Sequence, residues 1–138
     1  MKRQTARLTI GELARRAGLG LSTVRYYERA GLAPVPARSA SNYRLYPDDA
    51  VIRLRFIRRA QQLGFTLEEI KGLLDLRVSR RTPCGEVRSR VQIKIADIDA
   101  RIRSLRQMRR ALTKLAHDCE AHRDGAGCPL LEYLEGQL

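Results

Sequence analysis

Residues 9–31 read TIGELARRAGLGLSTVRYYERAG. Thr9 followed three positions later by Glu12 is a capping box, in which each side chain satisfies a backbone N–H that the first helical turn leaves unpaired. The spacing predicts a helix through Leu13, Ala14 and Ala17 that stops at Gly18. Ser22 is a good N-cap for a second helix over Thr23 to Ala30, with Gly31 as its stop. Two short helices joined by a tight glycine-containing turn read as a helix-turn-helix, a unit that lays its second helix in the major groove of DNA.

The flanking sequence extends this unit. Pro34, Pro36 and the stretch 39–42 break the helical pattern. Tyr43-Arg44-Leu45-Tyr46 alternates and is rich in strand formers, so it reads as a small wing. Asp48 is positioned to cap a third helix covering Val51, Leu54, Ile57 and Leu63, ended by Gly64. Thr66 and Glu69 form a second capping box, and the helix behind it runs to about Leu76. Residues 79–83 read as a hinge.

Beyond the hinge the pattern changes scale. From Gly85 to His117 there is no proline, and Gly85 is the single glycine. Val87, Val91, Ile95, Ile98, Ile102, Leu105, Met108, Leu112 and Leu115 recur at steps of three and four, one long amphipathic stripe. From Val91 to Leu105 the repeat fits a coiled-coil seam. A helix this long has nothing local to cover the stripe, which implies a partner helix, most simply from a second copy. A loop rich in glycine and charge follows from Cys119 to Cys128, then a short helix from Pro129 to Leu134. The expected organisation is mainly α: a winged helix-turn-helix domain over 1–80, a dimerisation helix over 85–118, and a metal-binding loop with a short helix over 119–138.

Charge points to the partner. The 138 residues carry a formal net charge of +12. Of this, +9 falls in residues 1–80 and +3 in the remainder, so the basic character sits with the helix-turn-helix. On the second helix, Thr23, Arg25, Tyr26 and Tyr27 offer hydroxyl and guanidinium donors suited to phosphates and base edges. Arg44 and Tyr46 on the wing and Arg58 on the third helix add to the set. One tyrosine packing into the small core, and Arg25 pairing with Glu28, are the structural alternatives. Neither a signal peptide nor a run of roughly 20 apolar residues is visible, so a cytoplasmic protein without a membrane span is expected.

Three cysteines form an odd count that suits metal binding better than disulfides in a reducing compartment. Cys84 sits just before the long helix and Cys119 just after it, with Cys128 nine residues later. At 1.5 Å per residue the intervening helix spans about 51 Å. Cys84 and Cys119 of one chain therefore cannot share an ion if the helix is continuous. Two antiparallel chains would bring the Cys84 end of one against the Cys119–Cys128 loop of the other. Three thiolates suit a soft ion. A structural zinc closed by a fourth ligand from His117, His122, Asp118 or Glu120 is the competing reading. An enzyme with a cysteine nucleophile is disfavoured, because no Cys–His pair sits in a recognisable catalytic context.

These segments together resemble the MerR family of metal-responsive transcription regulators. The resemblance covers nearly the whole chain: LTIGELARRAG, STVRYYERAGL, NYRLY, RLRFIRRAQQLGFTLEEI, Cys84 and CEAHRDGAGCPLLEYL. It implies a winged-helix homodimer with an antiparallel coiled coil, bound between promoter elements spaced too far apart. It implies repression without metal. With metal, it implies untwisting of the DNA so that RNA polymerase can use both elements. By position it implies a recognition helix over 22–30, wing residues Arg44 and Tyr46, and metal thiols Cys84, Cys119 and Cys128. A cysteine at position 84 points to a divalent rather than a monovalent ion. The spacing is similar to that of mercury and lead regulators. Zinc regulators of the family usually carry a further cysteine beside the Cys119 position, where this chain has Asp118 and Glu120. Mercury is therefore expected first, then lead, cadmium or zinc.

Overall fold

The computed structural model describes residues 7–78, 84–121 and 127–136. The chain divides between Val87 and Arg88 into two compact units. The expected hinge at 79–83 and most of the loop between Cys119 and Cys128, His122 included, lie outside the described residues.

In the first unit, β1 (Arg7–Leu8) leads into α1 (Ile10–Ala17) and α2 (Leu21–Arg29). Then come β2 (Tyr46–Pro47), α3 (Asp49–Gln62) and α4 (Leu67–Val78). The start of α1 is set as its sequence demands: Thr9 Oγ1 accepts a hydrogen bond from the Glu12 N–H at 3.3 Å. Gly18 ends it with φ 70°, a left-handed conformation that glycine adopts without the strain of a Cβ. Gly31 plays the same part after α2, with φ 76°. At α4 the capping box closes in both directions: the Glu69 N–H bonds Thr66 Oγ1, and the Thr66 N–H bonds the Glu69 carboxylate.

Three boundaries differ from the sequence expectation. The second helix begins at Leu21, with Gly20 rather than Ser22 at the cap and no side-chain bond there. Asp48 precedes α3 but makes no capping bond, and lies 3.7 Å from Arg16 instead. Leu63 is exposed, because α3 has already ended at Gln62 and its spacing no longer keeps it on the inner face.

The core of this unit is built at helical spacing. Leu13, Ala14 and Ala17 of α1 meet Val51, Leu54, Ile57 and Ala60 of α3, and Ile70 and Leu74 of α4 close the other side. The two strands are short and antiparallel, with Leu8 opposite Tyr46. Between α2 and β2 the chain makes a hairpin closed by a bridge between Arg38 and Arg44. Asn42 turns it with φ 64°. This hairpin is the wing, although its regular strand starts only at Tyr46.

The second unit is dominated by α5 (Cys84–Ala121), a helix of 38 residues whose first turn begins in the first unit. Both Cys84 and Cys119, expected just outside the helix, lie within it. The apolar stripe is open: Ile98 and Ile102 are about 40% exposed and Leu105, Met108 and Leu112 still more so. The short α6 (Pro129–Leu134) falls where its sequence placed it.

Ile57 is completely buried where α3 packs between its neighbours. Ile57→Ala should destabilise the unit by about 2–5 kcal/mol through lost burial and an unfilled cavity. Urea unfolding followed by circular dichroism measures it.

Candidate nucleic-acid interface and thiol sites

The inner face of α2 is fixed by Val24 and Tyr27, both buried. The helical period then turns Arg25, Tyr26 and Arg29 outward, and all three are exposed. Thr23 is half-buried. Facing this surface is the wing, with Arg44 and Tyr43 exposed. Between them lies a cleft of about 620 Å³ whose lining includes Arg25, Arg29, Arg38 and Arg44. Four arginines line this one concave surface together with Glu28, and forked guanidinium donors are of a kind that matches phosphate oxygens and guanine edges.

Three residues expected at the DNA have partners within the protein. Tyr27 is buried and its hydroxyl donates to Gln61 of α3. Burial raises its pKa, against the nearby Arg58 charge. Tyr46 is buried and its hydroxyl donates to the Glu28 carboxylate at 2.9 Å. Burial, aided by that bond, pushes its pKa up to about 12. Arg58 is exposed, yet its guanidinium donates to the Gly18 carbonyl at 2.7 Å. Arg55 does the same for the Arg16 carbonyl at 2.8 Å. These two arginines of α3 satisfy carbonyls that the end of α1 leaves open, and so brace the turn of the helix-turn-helix. Conversely, Arg29 and Arg38 were absent from the sequence expectation. Arg29 lies one helical turn from Arg25, a spacing that the sequence displays. Arg38 comes into place only through the hairpin register.

In the second unit Cys119 and Cys128 act on each other electrostatically. The pair is electrostatically split. Cys119 is raised above its ordinary pKa by the bond and charge of Cys128, with Glu120 adding to the effect. Cys128 is lowered, chiefly by the backbone N–H groups of Leu131 and Leu130 in the first turn of α6. Thiolates are the form that binds a soft cation, and of the two thiols Cys128 ionises the more readily. Cys84 is exposed, 35 positions before Cys119 on the same helix, more than about 50 Å away along its axis. His117 lies two residues from Cys119, a spacing that sets side chains on different faces. It lines a groove with Arg106, Arg110 and Lys114 instead. Among the described residues no three His, Cys, Asp or Glu side chains gather within the chain. Nor is any described helix long and apolar enough to cross a membrane.

The sequence matches the family described as MerR HTH family regulatory protein over residues 8–76, and that described as MerR, DNA binding, over 51–115. A mercuric resistance operon regulatory protein of Bacillus cereus is 42% identical over 125 residues, covering 91% of this chain and 95% of the relative. The chain belongs to the MerR family. It is therefore a DNA-binding transcription regulator, from a family of regulators and not of enzymes. Two solved structures are similar over most of the chain. The transcription regulator PbrR691 from Ralstonia metallidurans CH34, in complex with lead(II), superposes with a TM-score of 0.81 at 41% identity, covering 92% of this chain and 98% of that one. MerR from Bacillus megaterium MB1, in complex with mercury(II), gives 0.72 at 37% identity, covering 93% and 99%.

The split thiol pair gives a chemical prediction for this MerR chain. In metal-free protein near neutral pH, iodoacetamide should modify Cys128 before Cys119, because the thiolate is the nucleophile and Cys128 holds the larger thiolate fraction. Peptide mapping at short times reads the order. Equal rates would mean that the first turn of α6 does not act on Cys128.

Proposed function

We propose that this MerR-family chain acts as a promoter-bound homodimer that senses a soft divalent ion through Cys84 of one chain and Cys119 and Cys128 of the other. The observation that carries the reading is the unbroken helix from Cys84 to Ala121, which keeps the first thiol far from the other two while exposing an apolar edge. Antiparallel pairing along that edge covers the stripe and joins the thiols in one arrangement.

The roles of the residues follow. Residues 1–80 hold promoter DNA, with Arg25, Tyr26 and Arg44 on phosphates or base edges, Thr23 at the margin, and Arg29 and Arg38 beside them. Tyr27, Tyr46 and Arg58 position those contacts from behind. Helix residues 85–118 form the dimer seam, and 119–138 complete the metal site. The bound ion would supply a cross-link between two chains that thiols alone do not provide. Its capture in the dimer sets the state of the DNA-binding units: repressing when empty, and untwisting the promoter for RNA polymerase when filled. Such a regulator works in the cytoplasm.

Thiolate ligands favour mercury, followed by lead, cadmium and zinc. The relatives whose names and complexes involve mercury and lead support that order. A purely structural zinc is the second reading. Transcription from the chain's own promoter across a panel of these ions separates the two. Induction should follow mercury at the lowest concentration, and Cys84→Ser, Cys119→Ser or Cys128→Ser should each abolish it while promoter binding persists. A structural zinc would instead be needed for folding, and its removal would unfold the chain without any ion acting as inducer.

The seam has its own test. Replacing Ile98 and Ile102 together with Asp places four charges in a dimer seam, a cost comparable with the whole stability of a small protein. Light scattering should then report monomer or unfolded chain. A dimer of unchanged stability would place the interface elsewhere.

A further inference from the structure

The cleft between α2 and the wing contains one acid among its lining residues. Glu28 sits in the last turns of α2, surrounded by the guanidinium-bearing residues Arg25, Arg29, Arg38 and Arg44 that line the same surface. A carboxylate there opposes phosphate binding, so an interface built for affinity alone would not carry it. Nor is Glu28 turned away: its Oε1 accepts the Tyr46 hydroxyl at 2.9 Å. Tyr46 in turn is anchored on both sides. Its backbone pairs with Leu8, and its ring is buried in the core. It also follows the wing hairpin directly, two residues after Arg44 closes the bridge with Arg38. The Glu28–Tyr46 bond therefore ties the root of the wing to the C-terminal part of the recognition helix.

The geometry points to Glu28 as a specificity-determining residue that, with Tyr46, fixes the angle between wing and recognition helix while weakening the hold of the arginines on arbitrary phosphate backbones. Its two actions are physically separable. The charge lowers affinity for any duplex, because each basic contact made beside it is partly neutralised before DNA arrives. The hydrogen bond favours only a duplex whose groove and backbone fit the fixed angle, because a mobile wing would have to be ordered on binding. Together they widen the gap between the operator and random DNA, the quantity on which a regulator's selectivity depends.

This inference rests on DNA binding by α2 and the wing, and two variants separate it from that reading. The probes are a duplex selected from a random pool by the wild-type chain, and an unselected duplex of equal length, each titrated at two salt concentrations. Glu28→Gln keeps an oxygen for the Tyr46 hydroxyl but removes the charge. Affinity for the unselected duplex should rise by roughly three- to tenfold, and by less for the selected one. Tyr46→Phe keeps the ring and the charge but removes the bond. Affinity for the selected duplex should fall by roughly tenfold, with that for the unselected duplex nearly unchanged. Either pattern is one that a merely structural role does not produce, since partial unfolding lowers both affinities together. The proposal is overturned if both variants keep the wild-type ratio of selected to unselected affinity, or if both lower the two affinities equally. Failure of the wild-type chain to select any duplex would overturn the DNA-binding reading itself.

Discussion

The unbroken backbone of α5 is the constraint from which the rest follows. A helix of this length leaves a long apolar edge that packing against a partner would cover, and most helical stability in proteins comes from such packing. The edge from Val91 to Leu112 is open along the chain. The same helix carries Cys84 in its first turn and Cys119 near its last, 35 positions apart in sequence. One physical object thus sets both the demand for a partner and the impossibility of closing the thiol set within a single chain along that helix. In the proposed antiparallel dimer, metal capture would thereby be linked to the state of the dimer.

The DNA-binding unit meets a different demand, which is to hold several arginines in place with a small core. Its solution is to use some cations as scaffold and leave others free. Arg55 and Arg58 donate to carbonyls at the end of α1, so the turn between α1 and α2 is held from behind by α3. The positive φ at Gly18 is what favours glycine there, and a Cβ would also stand 3.0 Å from the Arg58 guanidinium and push it from its bond. Tyr27 and Tyr46 follow the same logic: each buries its ring and gives its hydroxyl to a neighbouring helix. Arg25, Arg29, Arg38 and Arg44 line the cleft between α2 and the wing.

Much of this was legible in the sequence, for reasons that differ by element. The capping boxes at Thr9 and Thr66 and the stops at Gly18 and Gly31 are local signals, because cap geometry depends on a few neighbouring residues. The long stripe was legible because its period persists over many turns. The roles of Tyr27, Tyr46 and Arg58 were not, because a hydroxyl or guanidinium suits a phosphate and a protein acceptor equally well. The protein partners lie 34, 18 and 40 positions away in sequence, out of reach of any local signal. Arg38 was missed for the same reason, since hairpin register is not a local property. The pairing of Cys119 with Cys128 was suggested by their shared loop, but the split of their acidities needed the position of α6. His117 shows the converse: its closeness to Cys119 in sequence sets it on another face of the helix.

The central claim is that each metal site takes its thiols from two chains. The most direct test is the mercury(II) capacity of a mixed dimer, measured through thiolate-to-metal absorption in the presence of excess glutathione. One chain carries Cys84→Ser, and its partner carries Cys119→Ser and Cys128→Ser. All the damage then falls at one end of an antiparallel dimer, while the other end keeps a complete set from both chains. The mixed dimer should retain about half the wild-type capacity, while neither parent homodimer retains any. A mixed dimer with no tight binding, or a Cys84→Ser homodimer with full capacity, would contradict the account.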